Sequence, residues 1–382
     1  MKINGFKNSN IYVYGQGIVK SSLLIENGLI SKIDDNLEGN LVELPENLIV
    51  IPGFVDKHIH GCNHSDFMNP SREDLVKILQ AVPQEGTTSL LATTMTQSME
   101  NISKALENIA NYIEEGNSGV EILGVHLEGP YVSGKFAGAQ PLEYIIPCNI
   151  NSLKKLIEVS KNNIRELSYA PEEEGMEFTR FLVDNNIVAS IGHSNATFET
   201  CIEAADNGAT SITHTYNAQK GIHHRDIGVV GAAMFDDRFS CELICDLIHV
   251  SAPAINLLYK NKGLNNICLI TDSIEAKYMP DGKYMLGGQD VYVKDGAARL
   301  LSGTLAGSTL KMNEGVRNFR NTTKVSFTQA VDCATINPAR NLNVDSRKGS
   351  IELGKDADLV VVDNDYNVYM TICRGEVVYS KL

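Results

Sequence analysis

The sequence predicts an α/β protein: a closed parallel barrel of eight strands with flanking helices, a (β/α)8 architecture, and a small β domain drawn from both ends of the chain. Three observations predict it. The chain has 382 residues, more than the ~250–300 at which one core stops growing. Between residues 53 and 343, short apolar runs alternate with longer stretches of helical period. Residues 1–52 and 344–382 instead show the short alternating runs and turn residues of antiparallel strands.

Taken in order, the first 52 residues hold segments such as Asn10-Ile11-Tyr12-Val13-Tyr14 and Ser22-Leu23-Leu24-Ile25, broken by Gly and Asn. The apolar run from Asn47 to Val55 reads as one buried strand interrupted by the Pro52-Gly53 turn. Strands follow at 88–95, 120–127, 165–170, 186–192, 210–214, 239–248 and 266–271, which with the first makes eight. Helical stretches at 72–82, 98–114, 151–162 and 198–206 separate them. A doubly wound open sheet is the weaker alternative, because no G-x-G-x-x-G follows the first strand. The run from Gly349 to Asp363 returns to strands and turns.

Composition narrows the function. A hydrophobic share of 43% and a charged share of 21% are ordinary for a globular protein. The net charge of −14, with no basic run, argues against nucleic acid or an anionic membrane as partner. No segment approaches the ~20 apolar residues of a membrane span. Residues 1–10 lack the apolar core of a signal peptide, so the expected location is cytoplasmic. Eight scattered cysteines without a C-x-x-C pair read as reduced thiols. Cys62, two residues past His60, reads as a spectator.

In a barrel of this type, chemistry sits where strands enter the following loops. In Val55-Asp56-Lys57-His58-Ile59-His60-Gly61 the two histidines are two apart, so on a strand both aim at one point, and a metal ion is a fitting target. Four more strands stop on polar residues: Glu128 before Gly129-Pro130, His193 in Gly192-His193-Ser194, His214 in Thr213-His214-Thr215, and Asp272 in Thr271-Asp272-Ser273. Each alone has a bland reading: a loop carboxylate, a satisfied histidine, a helix cap. Their coincidence at successive strand ends favours one shell for divalent zinc, iron or manganese. His126 reads either as core or as a support behind the ligands, and His64 has no assigned role.

The segments PGFVDKHIHG, GVHLEGPY, GHSNA, THTYNA, HRDIGVVG, ITDSI, GTLAGS, and NPAR followed by GSIELGKDADLVVVD resemble those of the N-acetylglucosamine-6-phosphate deacetylases of the amidohydrolase superfamily, over essentially the whole chain. The HxH and GKDADLVVVD strings carry only the superfamily; HLEGP, GHSNAT and THxxNA carry the deacetylases. The resemblance implies a TIM barrel with a β-sandwich built from both termini, and a homodimer. It implies that Glu128, His193 and His214 hold a principal metal ion and that His58 and His60 hold a second, making two per subunit. Relatives without the HxH pair run on one. It also implies hydrolysis of the acetamide of a phosphosugar, with Asp272 carrying the proton from water to the sugar nitrogen.

For the substrate, the resemblance assigns the backbone amides of Asn217 and Ala218 and the Arg225 fork to the 6-phosphate, with Arg225 reaching in from the neighbouring subunit. His249 matches a substrate-contacting histidine, although Leu247 stands where glycine is usual. Ala139 and Gln140 fall where relatives carry a histidine in the second position. Gln140 can donate a hydrogen bond but not shuttle a proton, so part of that polarising role is expected to pass to the second metal. Gln219 stands where methionine is common, and Leu305 lies in a segment expected to close over the sugar. Alternatives are a galactosamine epimer, another N-acyl substrate, or a non-catalytic scaffold. A scaffold would be free to lose ligands or the base, and none is missing.

Overall fold

The computed structural model describes residues 2–116, 119–173 and 175–382. Eight parallel strands follow one another around a barrel in chain order: Phe54–Ile59, Thr87–Thr94, Glu121–Glu128, Ile164–Tyr169, Val188–Ile191, Ser211–Ile212, Ser240–Ile244 and Ile267–Ile270. Strands such as Thr87–Thr94 are buried along their whole length, as expected where a parallel sheet is covered on both faces. The barrel closes beside the site. The Asp272 N–H donates to the His58 carbonyl at 2.8 Å, and the His60 N–H to the Ser273 carbonyl at 2.9 Å.

The first strand differs from the sequence expectation. Ile49–Pro52 is not the start of a barrel strand; it belongs to a separate sheet, between Gly5–Val13 and Leu359–Val362. The barrel strand begins at Phe54 and runs past Val55 to Ile59. Gly53 sits at the crossing, where a Cβ would come within 2.1 Å of Thr88 Oγ1. That second sheet joins strands from both chain ends, from Glu376–Ser380 at one edge to Leu29–Asp34 at the other. Phe6, Leu23, Val50, Leu359 and Ile372 form its core.

Helices Arg72–Ala81, Met99–Glu115, Ile150–Val159 and Phe198–Asp206 lie close to the expected spans. Each starts at a residue whose side chain accepts a backbone N–H of the first turn: Ser71, Ser98, Asn149 and Thr197. One element was not anticipated. Gly282–Leu286, Gln289–Lys294 and Ala297–Leu300 form a three-stranded antiparallel sheet after the last barrel strand. Its turns, Gly287-Gly288 and Asp295-Gly296, have positive φ at both residues, as two-residue hairpin loops require. The sheet lies beside the site, with Gln289 Nε2 donating to the Ala139 carbonyl at 2.6 Å. No described helix is long and apolar enough to cross a membrane.

Candidate metal centre

The five candidate ligands and Asp272 converge at the C-terminal ends of the barrel strands. Glu128 is the last residue of its strand; His193, His214 and Asp272 each follow theirs by two residues. All six are at most 7% exposed. The three that follow strands adopt left-handed backbone, with φ of +47°, +27° and +50°, a conformation that costs L-residues and concentrates at functional sites.

Glu128 is the hub. Its Oε1 lies 3.1 Å from His193 Nε2, 3.0 Å from His214 Nε2 and 3.6 Å from His58 Nε2. Its Oε2 lies 3.3 Å from His60 Nε2 and accepts from Gln140 Nε2 at 2.9 Å. Asp272 Oδ1 faces the histidine pair, 3.4 Å from His58 Nε2 and 3.2 Å from His60 Nε2. The donors fall into two trios that share Glu128: one with His58 and His60, one with His193 and His214.

This donor set suits a divalent cation. His58 Nε2 is buried without a hydrogen-bond partner although it points into the cluster, a state that persists only when something else uses the atom. The electrostatics also call for positive charge. Burial lowers the His58 pKa, but Asp272, Glu242 and Glu128 outweigh it and raise it to about 9. Burial likewise opposes ionisation of Glu128 and Asp272, yet the histidines hold both carboxyls below their ordinary range. Cys62 is a bystander, its thiol directed to the Ile78 carbonyl. His126 is buried and bonded to Ser168 Oγ at 2.7 Å.

A cavity of about 340 Å³ opens over the cluster. Its wall includes Ala139, Gln140, Asn217, Ala218, His249 and Leu305, six of the seven substrate residues expected from the sequence. Arg225 is the exception, exposed and outside that wall, with its guanidinium against His224 Nε2 at 2.8 Å. Two expectations are refined. The Asn217 N–H donates to the His214 carbonyl at 3.0 Å, so of that pair only the Ala218 N–H is without a backbone acceptor. Gln140 is committed at both ends, since its carbonyl accepts the Thr96 N–H at 2.8 Å while its amide holds Glu128.

Sequence reasoning missed several residues. Lys135 and Leu286 also line the cavity. Asp246 orients His249, with its Oδ2 2.6 Å from His249 Nδ1. Below the candidate ligands lie Lys57, Glu166 and Glu242, all fully buried. Lys57 is adjacent to His58 yet also points into the barrel, because the pairing register shifts between Asp56 and Ile59. Glu242 was hidden in the apolar run 239–248, although a lone Glu inside such a run is itself a signal.

The Amidohydrolase family pattern matches residues 49–378 of the chain. The N-acetylglucosamine-6-phosphate deacetylase of Bacillus subtilis (strain 168) is 45% identical over 342 residues, 88% of this chain and 86% of that protein. The N-acetylgalactosamine-6-phosphate deacetylase of Escherichia coli O157:H7 is 37% identical over 93% of both chains. The crystal structure of N-acetylglucosamine-6-phosphate deacetylase from Thermotoga maritima, 39% identical, superposes with a TM-score of 0.90 over 99% of this chain and 100% of that one.

Proposed function

The chain belongs to the amidohydrolase family, and on that premise we propose that it hydrolyses the acetamide of N-acetyl-D-glucosamine 6-phosphate to D-glucosamine 6-phosphate and acetate. The observation that carries this reading is the pair of trios sharing Glu128, with Asp272 facing them under a sugar-sized cavity. Glu128, His193 and His214 would hold the principal ion, and His58 and His60 a second. Nitrogen and carboxylate donors of this kind suit zinc, iron or manganese. A bound divalent ion supplies a Lewis acid for the acetamide carbonyl and acidifies water.

The chain's own residues supply the rest. Asp272 is held ionised by His58 and His60. It takes a proton from the attacking water on its carboxylate and delivers it to the sugar nitrogen as the C–N bond breaks. Gln140 fixes the Glu128 carboxylate and leaves the cavity to the acetyl group. His249, oriented by Asp246, meets the sugar.

The Ala218 N–H and Arg225 serve the phosphate, with Arg225 reaching the site of the partner subunit in a homodimer. Ile222 and Leu247, 52% and 47% exposed, sit on the loops that carry Arg225 and His249 and give such a contact apolar surface.

Acetate release on N-acetylglucosamine 6-phosphate, its galactosamine epimer and unphosphorylated N-acetylglucosamine tests the reading, with metal content measured on the same sample. The phosphorylated glucosamine is expected to react fastest. No acetate from it, or an equal rate without the phosphate, contradicts the proposal. A faster galactosamine epimer reassigns the substrate and leaves the chemistry.

A further inference from the structure

Glu242 lies in the middle of the strand Ser240–Ile244, at 0% exposure. Its Oε2 meets two groups at once: His58 Nδ1 at 2.9 Å and the backbone N–H of His214 at 3.0 Å. Its Oε1 lies 3.3 Å from the Lys57 ammonium. Lys57 is itself held by Glu166 at 2.8 Å, by Ser211 Oγ at 3.2 Å and by Asn341. One buried carboxylate therefore touches both trios, and an ammonium behind it keeps it charged.

Two consequences follow from hydrogen-bond chemistry. An ionised carboxylate only accepts, so His58 keeps a hydrogen on Nδ1, and in the neutral ring that binds a metal the lone pair falls on Nε2. That is the unpartnered nitrogen facing Glu128 and Asp272. His214 turns at φ +27°, outside the favoured wells for an L-residue, and the bond from its N–H to Glu242 holds that turn.

We infer that Glu242 is a positioning residue for both metal positions, setting the tautomer of His58 for one and the backbone of His214 for the other. This rests on the reading of those histidines as ligands. A separate ion between His58, His126 and Glu242, whose ligand atoms are also close, is opposed by the Lys57 ammonium 3.3 Å from Glu242 Oε1.

The test compares Glu242→Gln with Glu166→Gln. Both remove one carboxylate from Lys57, but only Glu242 touches ligand residues. Metal-free wild type and variants are titrated with Zn²⁺ by calorimetry, and their melting is followed without metal. Glu242→Gln is expected to weaken Zn²⁺ binding about 10–100-fold, while Glu166→Gln leaves it within about threefold. Unchanged binding in Glu242→Gln, or equal weakening in Glu166→Gln, overturns the inference.

His58→Asn marks the second position. If wild type takes up one ion and His58→Asn matches it, the two-ion reading fails, and Glu242 is judged on the remaining ion through His214. Should Glu242→Gln not fold, Glu242→Asp keeps the charge beside Lys57 and withdraws the oxygen. The same loss of affinity is then required of it.

Discussion

The strand Glu121–Glu128 carries a carboxylate at each end, and the two live in opposite surroundings. Glu121 lies where the barrel meets the sheet formed by the chain ends. Its Oε1 is 2.5 Å from Arg347 Nη2, and its Oε2 is 2.8 Å from Lys348 Nζ and 3.0 Å from Arg374 Nη1. Lys348 also reaches Asp356 at 2.8 Å and Asp358 at 2.5 Å. Positive and negative groups alternate, and each has a partner. At the other end, four histidines crowd Glu128 through their Nε2 atoms, and that of His58 has no hydrogen-bond partner. An unpartnered buried polar atom costs about 1–3 kcal/mol. The first cluster is arranged for the protein's own cohesion. The second is arranged for something the protein must bind.

That contrast can be broken from either side. Asp272→Asn should lower the rate of acetate release by about 10²–10⁴-fold while metal content and the melting temperature hold; a variant with full rate removes the proposed proton carrier. Lys348→Met should do the reverse. It leaves Asp358 without its cation and Glu121 and Asp356 with Arg347 and Arg374 alone, and should cost about 3–5 kcal/mol in denaturant unfolding, with the rate per folded molecule unchanged. Arg225→Ala should raise KM for the phosphorylated sugar by about 10–100-fold, leaving stability and the slow reaction of the unphosphorylated sugar alone. Equal effects on both sugars would take Arg225 away from the phosphate.

The smallest effect is a pH dependence. Burial raises the Glu121 carboxyl, but Arg347 and Lys348 outweigh it and bring it from 4.5 to about 2. A depressed folded pKa adds stability above the unfolded value, and that stability is lost as pH falls through the folded one. The stability gap between wild type and Glu121→Gln should therefore close as the pH is lowered from about 4.5 toward 2. A gap that stays constant over that range would mean the carboxylate's charge is not what matters there.

The convergence at the other end was legible in the sequence because strand ends are punctuated: Glu128 by Gly129-Pro130, His193 and His214 by their places after short apolar runs. Strand positions were legible for the same reason, with Pro52-Gly53 the exception. An apolar run does not say which sheet it joins, so one run was read where two strands in two sheets exist. The left-handed turns at His193, His214 and Asp272 were not legible, since none of these residues is glycine and the strain is held by tertiary contacts. The register shift that turns both Lys57 and His58 inward is equally silent, because strand alternation predicts opposite faces. The sheet 282–300 could have been found. Gly287-Gly288 and Asp295-Gly296, each flanked by alternating residues, are two-residue hairpin signals inside a region read only as strand, loop and helix.

The most direct measurement sets the two ends of that strand against each other: metal content and acetate release of Glu128→Gln beside Glu121→Gln, each checked for folding. Glu128→Gln should stay folded, lose bound metal and fall in rate by roughly a thousandfold or more. Glu121→Gln should keep both and melt lower. A Glu128→Gln protein that retains its metal and its rate, or a Glu121→Gln protein that loses them, would contradict the assignment of chemistry to one end and cohesion to the other.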